Sequence, residues 1–318
     1  MIKKVIDILS LKDFEIHLED PTIPLPLKLK GRPFITVSLT NRQIKFARAI
    51  FRGKALRIES AYTGTHDDLL TAEINEAFYQ QLLNIAGPHK TLVIGMNMQF
   101  APEKFYAKGT KLRDIERLIK TSIKAEVQQF DASQTYLPFP VRNQYFLAGV
   151  DQERVDKVYD RFKTLGFKVA AIYNQPAAII AEMGRAPLDW EASGIAVYFH
   201  QNVYTMLGWS NNEVVLVRSR ALGQNISSSK KATGVAIALQ SVATDLLREI
   251  ETQTKLLATK IGHDVQHLYI HGERTDNTLA AIQDRHRLPP KPIPWTTLSK
   301  YVEFPDNPPP HPDLGVIT

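Results

Sequence analysis

The chain has 318 residues, 44% of them hydrophobic, with a formal net charge of +6 and no cysteine; that is length enough for one large two-lobed core or two smaller ones. The absent thiols exclude disulfides and thiolate metal centres and suit a reducing compartment. No window reaches ~18 consecutive apolar residues, and the charged start lacks the apolar run of a secretory leader, so a soluble protein is expected.

Residues 1–32 precede the first regular pattern. Val5, Ile6, Ile8 and Leu9 suit a short amphipathic turn or an added strand, and Pro21, Pro24 and Pro26 an extended linker. From 35 to 64, ITVSLTNRQIKFARAIFRGKALRIESAYTG alternates apolar and polar positions around turn residues and reads as a three-strand meander. No Asp or Glu falls between positions 21 and 58, whereas Lys28, Lys30, Arg32, Arg42, Lys45, Arg48, Arg52, Lys54 and Arg57 do. Such a run is either a strand edge kept soluble by cations or a surface drawn to anionic lipid or an acidic partner tail. No nucleic-acid partner is expected, because no base-reading module accompanies the charge.

A polar helical stretch over 67–86 and an apolar strand over 91–95 follow. Within 96–165, Leu112, Ile115, Ile119 and Ile123 recur at helical spacing in a helix over 112–130. Residues 136–140 and 144–150 read as strands. A helix over 151–165 then places Val155, Val158, Tyr159 and Phe162 on one face before Gly166 stops it. Residues 169–173 form a strand, and 175–183 a helix with Pro176 near its start, where a missing amide is harmless. Residues 184–193 form a linker.

The meander pattern then returns. Residues 195–224, IAVYFHQNVYTMLGWSNNEVVLVRSRALGQ, place Ile195, Val197, Phe199 and Gln201 at a constant offset from Ile35, Val37, Leu39 and Asn41. A long helix over 231–261 and a strand over 265–270 follow, so meander, helix, strand occurs twice and two related halves are expected. A helix over 278–286 precedes a proline-rich end from Pro289 to Pro312, which is a polyproline ligand or irregular closing structure.

With LRDIERLIKTSIKAEVQQF, GVDQERVDKVYDRFKTLGFKVAAIYNQPAAIIAEMG and LLREIETQTKLLATKIGHDVQHLYIHG in this order, the chain from Phe34 onward resembles the actin-like type IV pilus assembly protein PilM family. It resembles more distantly FtsA and the cytoplasmic domain of GspL. The resemblance implies an α/β, actin-like (ribonuclease H-like) two-lobed ATPase fold with an inserted small α/β subdomain in the first half. The implied division is an extension over 1–33, a first lobe over 34–97 and 167–190, an insert over 98–166, and a second lobe over 191–318.

That family holds a nucleotide between two turns carrying an aspartate and a glycine, and here those positions differ. The first turn, D-x-G-x-x-x-x-K in the family, has Ser38 for the aspartate and Thr40 for the glycine, and keeps Lys45. In the second, Tyr198 and His200 replace aspartate and glycine, adding bulk and removing the charge that positions magnesium. Where the family shows consecutive glycines on the adenosine side, Gly272 stands beside Glu273. A degenerate cleft without cofactor, metal or catalytic residue is expected; the alternative is a working ATPase taking ATP with magnesium.

The resemblance further implies a cytoplasmic scaffold peripheral to the inner membrane, in a type IV pilus or type II secretion platform. Its partner would be the cytoplasmic tail of a bitopic, PilN-like membrane protein, with self-association and peripheral membrane contact compatible with that role. Phe100, Phe105, Tyr136 and Phe139 are either aromatics of the groove that takes this tail or core residues. An FtsA-like membrane-tethered filament is disfavoured, because no amphipathic helix follows Asp313. His263, His267 and His271 recur every fourth residue, but Gly262 interrupts the helix that zinc binding at this spacing requires. Ser227, Ser228 and Ser229 before Lys230 and Lys231 lack the glycine spacing of a phosphate loop and read as a helix cap.

Overall fold

Alternating side chains make the first three strands. β1 (Phe34–Leu39), β2 (Gln43–Arg52) and β3 (Ala55–Thr65) form an antiparallel meander. The computed structural model describes residues 31–39, 43–52, 55–65, 76–96, 100–107, 114, 117, 134–200, 203–221, 232–272, 282, 286–293 and 302–303. The expectations placed on residues 1–30, on Thr40, on Ser227 to Lys231 and on Glu273 lie outside them, as does all but Ile282 and His286 of the helix expected over 278–286.

α1 (Glu76–Ala86) carries the chain back so that β4 (Thr91–Met96) lies parallel to β1, with Ile35 opposite Leu92. The second half repeats this arrangement. β9 (Gly194–His200), β10 (Val203–Ser210) and β11 (Glu213–Ala221) form a meander, α4 (Ala232–Ile261) returns, and β12 (His267–Gly272) pairs parallel to β9, with Ile195 opposite Leu268. The related residues Ile35 and Ile195 therefore meet their parallel partners in the same register.

Side-chain parity is repeated as well, as the two-residue period of a strand requires. Ile35, Val37 and Leu39 share a core with Leu82 of α1, while Ile195, Val197 and Phe199 share one with Leu246, Ile250 and Leu257 of α4. The even positions Phe34, Ala196 and Tyr198 enter a third core common to both halves.

That common core is built around α3 (Gln175–Arg185), which follows β8 (Lys168–Asn174). Every residue from Gln175 to Gly184 is buried, as expected of a helix that is apolar all round. Asn174 caps it: its Oδ1 accepts from the Ala177 amide at 3.1 Å, and its Nδ2 donates to the Gly149 carbonyl at 2.9 Å. Pro176 sits in the first turn, where it forfeits no helical hydrogen bond.

Between β4 and β8 lies the insert, where the structure adds an element. β5 (Phe100–Ala107), unanticipated in the sequence, joins β6 (Gln134–Val141) and β7 (Gln144–Asp151) in a three-stranded antiparallel sheet ordered β5-β7-β6. Of the helix expected over 112–130 only Asp114 and Arg117 are described, and both are helical. α2 (Gln152–Thr164) begins at Asp151, whose Oδ1 accepts from the Arg154 amide at 3.0 Å. The sequence reading groups this helix with the insert, yet its Val155, Val158 and Phe162 share the core of Ile35, Val37 and Leu92.

Two details differ from expectation near the end of the chain. β12 starts two residues later than the apolar run, because the Gln266 and His267 amides both donate to the Ser193 carbonyl at 3.1 Å and pairing with β9 begins at His267. The proline-rich end contributes two short border strands. β13 (Pro290–Pro292) pairs with β12 in the five-stranded sheet β11-β10-β9-β12-β13, and β14 (Val302–Glu303) pairs with β3 in the six-stranded sheet β14-β3-β2-β1-β4-β8. Proline is tolerated there because a border strand has one side without a partner to donate to.

Candidate functional site

Parallel strands collect chemistry at their carboxyl ends; β1, β4 and β8 supply such ends in the first sheet, and β9 and β12 in the second. Ser38 is next to last in β1. Antiparallel pairing sets it opposite Lys45 of β2, and parallel pairing opposite Gly95 of β4. Residues directly opposite each other share a face, so Ser38 and Lys45 lie on the face that carries α3; both are buried.

Gln175, the first residue of α3, closes this corner. Its Nε2 donates to Ser38 Oγ at 2.9 Å with both groups buried. Gly95 lies beside it: a β-carbon there would stand 3.5 Å from Gln175 Cβ, an ordinary van der Waals contact. The position expected to carry a metal-organising carboxylate thus holds a neutral hydroxyl already engaged by a neutral amide. A bond of this kind contributes about 1 kcal/mol and offers no charge to a cation.

In the second half Tyr198 is 2% exposed and lies in the core shared by both halves. Its ring stacks on His271, the residue opposite it on β12, with centroids 6.1 Å apart at 24°. The phenol is therefore packed as core. His200 ends β9 opposite Val203, and its side chain lies outside the described residues.

Gly272 closes β12 with φ +139°, and a β-carbon there would stand 1.7 Å from the Phe199 carbonyl oxygen. The glycine counted as a remnant of the adenosine pocket has a structural reason of its own: it lets two backbones approach.

Among the proposed groove aromatics, Phe139 is core. It is buried, packs 5.8 Å from Phe146 and shares the cluster of α3. The backbones of Phe100, Phe105 and Tyr136 lie in β5 and β6, with side chains outside the described residues. The three histidines have separate surroundings. His263 is exposed after α4, with its Nε2 3.5 Å from Ser210 Oγ, His267 Nε2 is 3.2 Å from Asp189 Oδ2, and His271 stacks on Tyr198.

Within the basic stretch, Lys45 is buried and Arg48 pairs with Glu59 at 2.8 Å, which leaves Arg32 and Arg57 exposed among the described cations. Sequence reasoning did not single out Gln175, since its role depends on a contact across the fold. The dipeptide Gln175-Pro176 at a strand-to-helix junction was the available signal.

No family model matches the chain, and no curated protein matches it. Solved structures do. A chain of the PilM–PilN type IV pilus biogenesis complex is similar with a TM-score of 0.62 and 13% identity, over 85% of this chain and 90% of that one. A Bacteroides thetaiotaomicron protein with an actin-like ATPase fold and unknown function gives 0.45 and 10%, over 92% of this chain and 96% of that one. The cytoplasmic domain of EpsL, an inner-membrane component of the Vibrio cholerae type II secretion system, gives 0.39 and 12%, over 63% and 79%. Two halves of matched topology joined across one buried helix, together with the overlay on a chain of the PilM–PilN complex, give this chain the actin-like fold.

Proposed function

We propose that this protein is a non-catalytic actin-like scaffold of a type IV pilus or type II secretion inner-membrane platform, and that it captures the cytoplasmic tail of a PilN-like bitopic partner. The observation that carries the partner class is the overlay on a chain of the PilM–PilN complex along most of both chains. The engagement of Ser38 by Gln175 and the burial of Tyr198 in the core support a cleft without Mg-ATP chemistry. No helix among the described residues is long and apolar enough to cross a membrane, which fits a protein brought to the bilayer by its partner. Phe100, Phe105 and Tyr136, with their backbones on β5 and β6, are the proposed contacts of the tail.

Two titrations test this. Calorimetry with Mg-ATP is expected to give no heat at micromolar to millimolar nucleotide, and the melting temperature to stay fixed, because a ligand at 100 times its Kd would stabilise by about 2.7 kcal/mol. The cytoplasmic tail peptide of a PilN-like protein encoded beside this gene is expected to bind, and Phe105→Ala to weaken it about tenfold, as for a loss near 1.4 kcal/mol at an aromatic anchor. Retention of Lys45 favours the second reading, an active ATPase. Magnesium-dependent hydrolysis that disappears in Lys45→Ala would establish that reading and retire the scaffold.

A further inference from the structure

The turn between β6 and β7 is built against local preference. Arg142 occupies it with φ +50°, a left-handed conformation that is unfavourable for a side chain of this kind and that glycine adopts freely. A long cation in that place has to gain something beyond the turn.

What it gains lies in other parts of the molecule. The guanidinium carbon sits 4.1 Å from the ring centroid of Trp190 in the linker between the halves, and Nη2 reaches Asn212 Oδ1 at 3.5 Å in the β10–β11 turn. Nε is buried without a hydrogen-bond partner among the described residues, so the ring face is the group's main compensation. Two residues on, Gln144 Oε1 accepts from the Val214 amide of β11 at 2.7 Å. The Asn212 amide donates to the Trp190 carbonyl at 2.7 Å, and Trp190 packs on Trp209 with centroids 4.9 Å apart. The tip of the insert, the linker and a turn of the second half therefore meet at one point, at the end of the second sheet opposite its share of the cleft.

We infer that the Arg142 turn is a latch: by stacking on Trp190 and bonding to the β10–β11 turn, it sets the angle between the two halves and makes the insert and the second sheet move as one unit. The inference does not depend on the proposed partner or on the state of the cleft.

Glycine provides the test, because Arg142→Gly suits the positive φ while deleting the guanidinium. The cysteine-free chain allows spin labels at Lys157→Cys on α2 and Lys255→Cys on α4, both exposed positions. In full-length protein, Arg142→Gly is expected to broaden the label-to-label distance distribution. It is also expected to speed amide exchange over 188–193 and 211–214 about tenfold, the change equivalent to a cation–π contact of ordinary strength. A variant whose distances stay as narrow as the parent's overturns the latch, whether exchange rises or not. Should Arg142→Gly fail to fold, Arg142→Asn, which also tolerates the positive φ and lacks the guanidinium, decides by the same two readouts.

Discussion

At Gly272 one missing atom is the condition for pairing. The strand end turns through φ +139°, and any side chain would begin 1.7 Å from the Phe199 carbonyl, so neither strain nor contact can be relieved by a rotamer. Gly272→Ala is expected to lower stability by about 2–4 kcal/mol, read as a fall in the denaturant midpoint, while a midpoint within error of the parent would show that β12 can part from β9 at its end without cost. Tyr204 illustrates the opposite case of a satisfied polar group. Burial, and then the bond from its hydroxyl to Glu249 at 2.6 Å, push its pKa far above the ordinary phenol, so it serves as a fixed donor throughout the working pH range. The roles of such residues were unreadable from local pattern. Ser38 and Gln175 are remote in sequence and meet only once β1 and α3 are packed, and Arg142 in a short turn looks like any solvated cation until Trp190 is placed beneath it.

Among the elements, α3 carries the unusual chemistry. Glu182 is buried within it beside Arg185, and burial raises its pKa while the neighbouring guanidinium pulls the other way. A carboxyl whose pKa is higher in the folded state favours folding while protonated. Its contribution is complete below the ordinary value near ~4.3 and is lost as pH rises through the folded-state pKa. Glu182→Gln, which stays neutral, should therefore gain on the parent as pH climbs from about 4 to about 8, measured by urea midpoints. A gap that does not change with pH would mean that Arg185 holds the carboxylate ionised throughout. Elements with strong periodicity were legible in advance. α4 was expected over 231–261 and is Ala232–Ile261, and α2, expected over 151–165, is Gln152–Thr164 capped by Asp151. β5 was hidden because FAPEKFYA breaks alternation with Pro102, Glu103 and Lys104, leaving neither a strand period nor a helical one.

For the molecule as a whole, the repeated register of Ile35 with Leu92 and Ile195 with Leu268 bears out the two related halves read from the sequence. What that reading lacked was the interior they share. Phe34, Phe139, Ile180, Trp190, Tyr198 and Trp209 belong to one cluster spanning both sheets and the insert, so neither half can open its inner face alone without exposing apolar surface worth about 25 cal/mol per Å². Unfolding followed by the fluorescence of Trp190 and Trp209, in a Trp295→Phe variant so that only these two report, is expected to coincide with loss of far-ultraviolet ellipticity in a single transition; two resolved steps would show halves that fold separately. The short terminal strands have a different bearing on the same unit. One stretch lends a border to each of the two larger sheets, Pro290–Pro292 beside β12 and Val302–Glu303 beside β3. Fraying of that stretch would bare hydrogen-bonding backbone on two sides at once and invite neighbouring molecules to stack strand to strand, making solubility as well as folding depend on two very short strands.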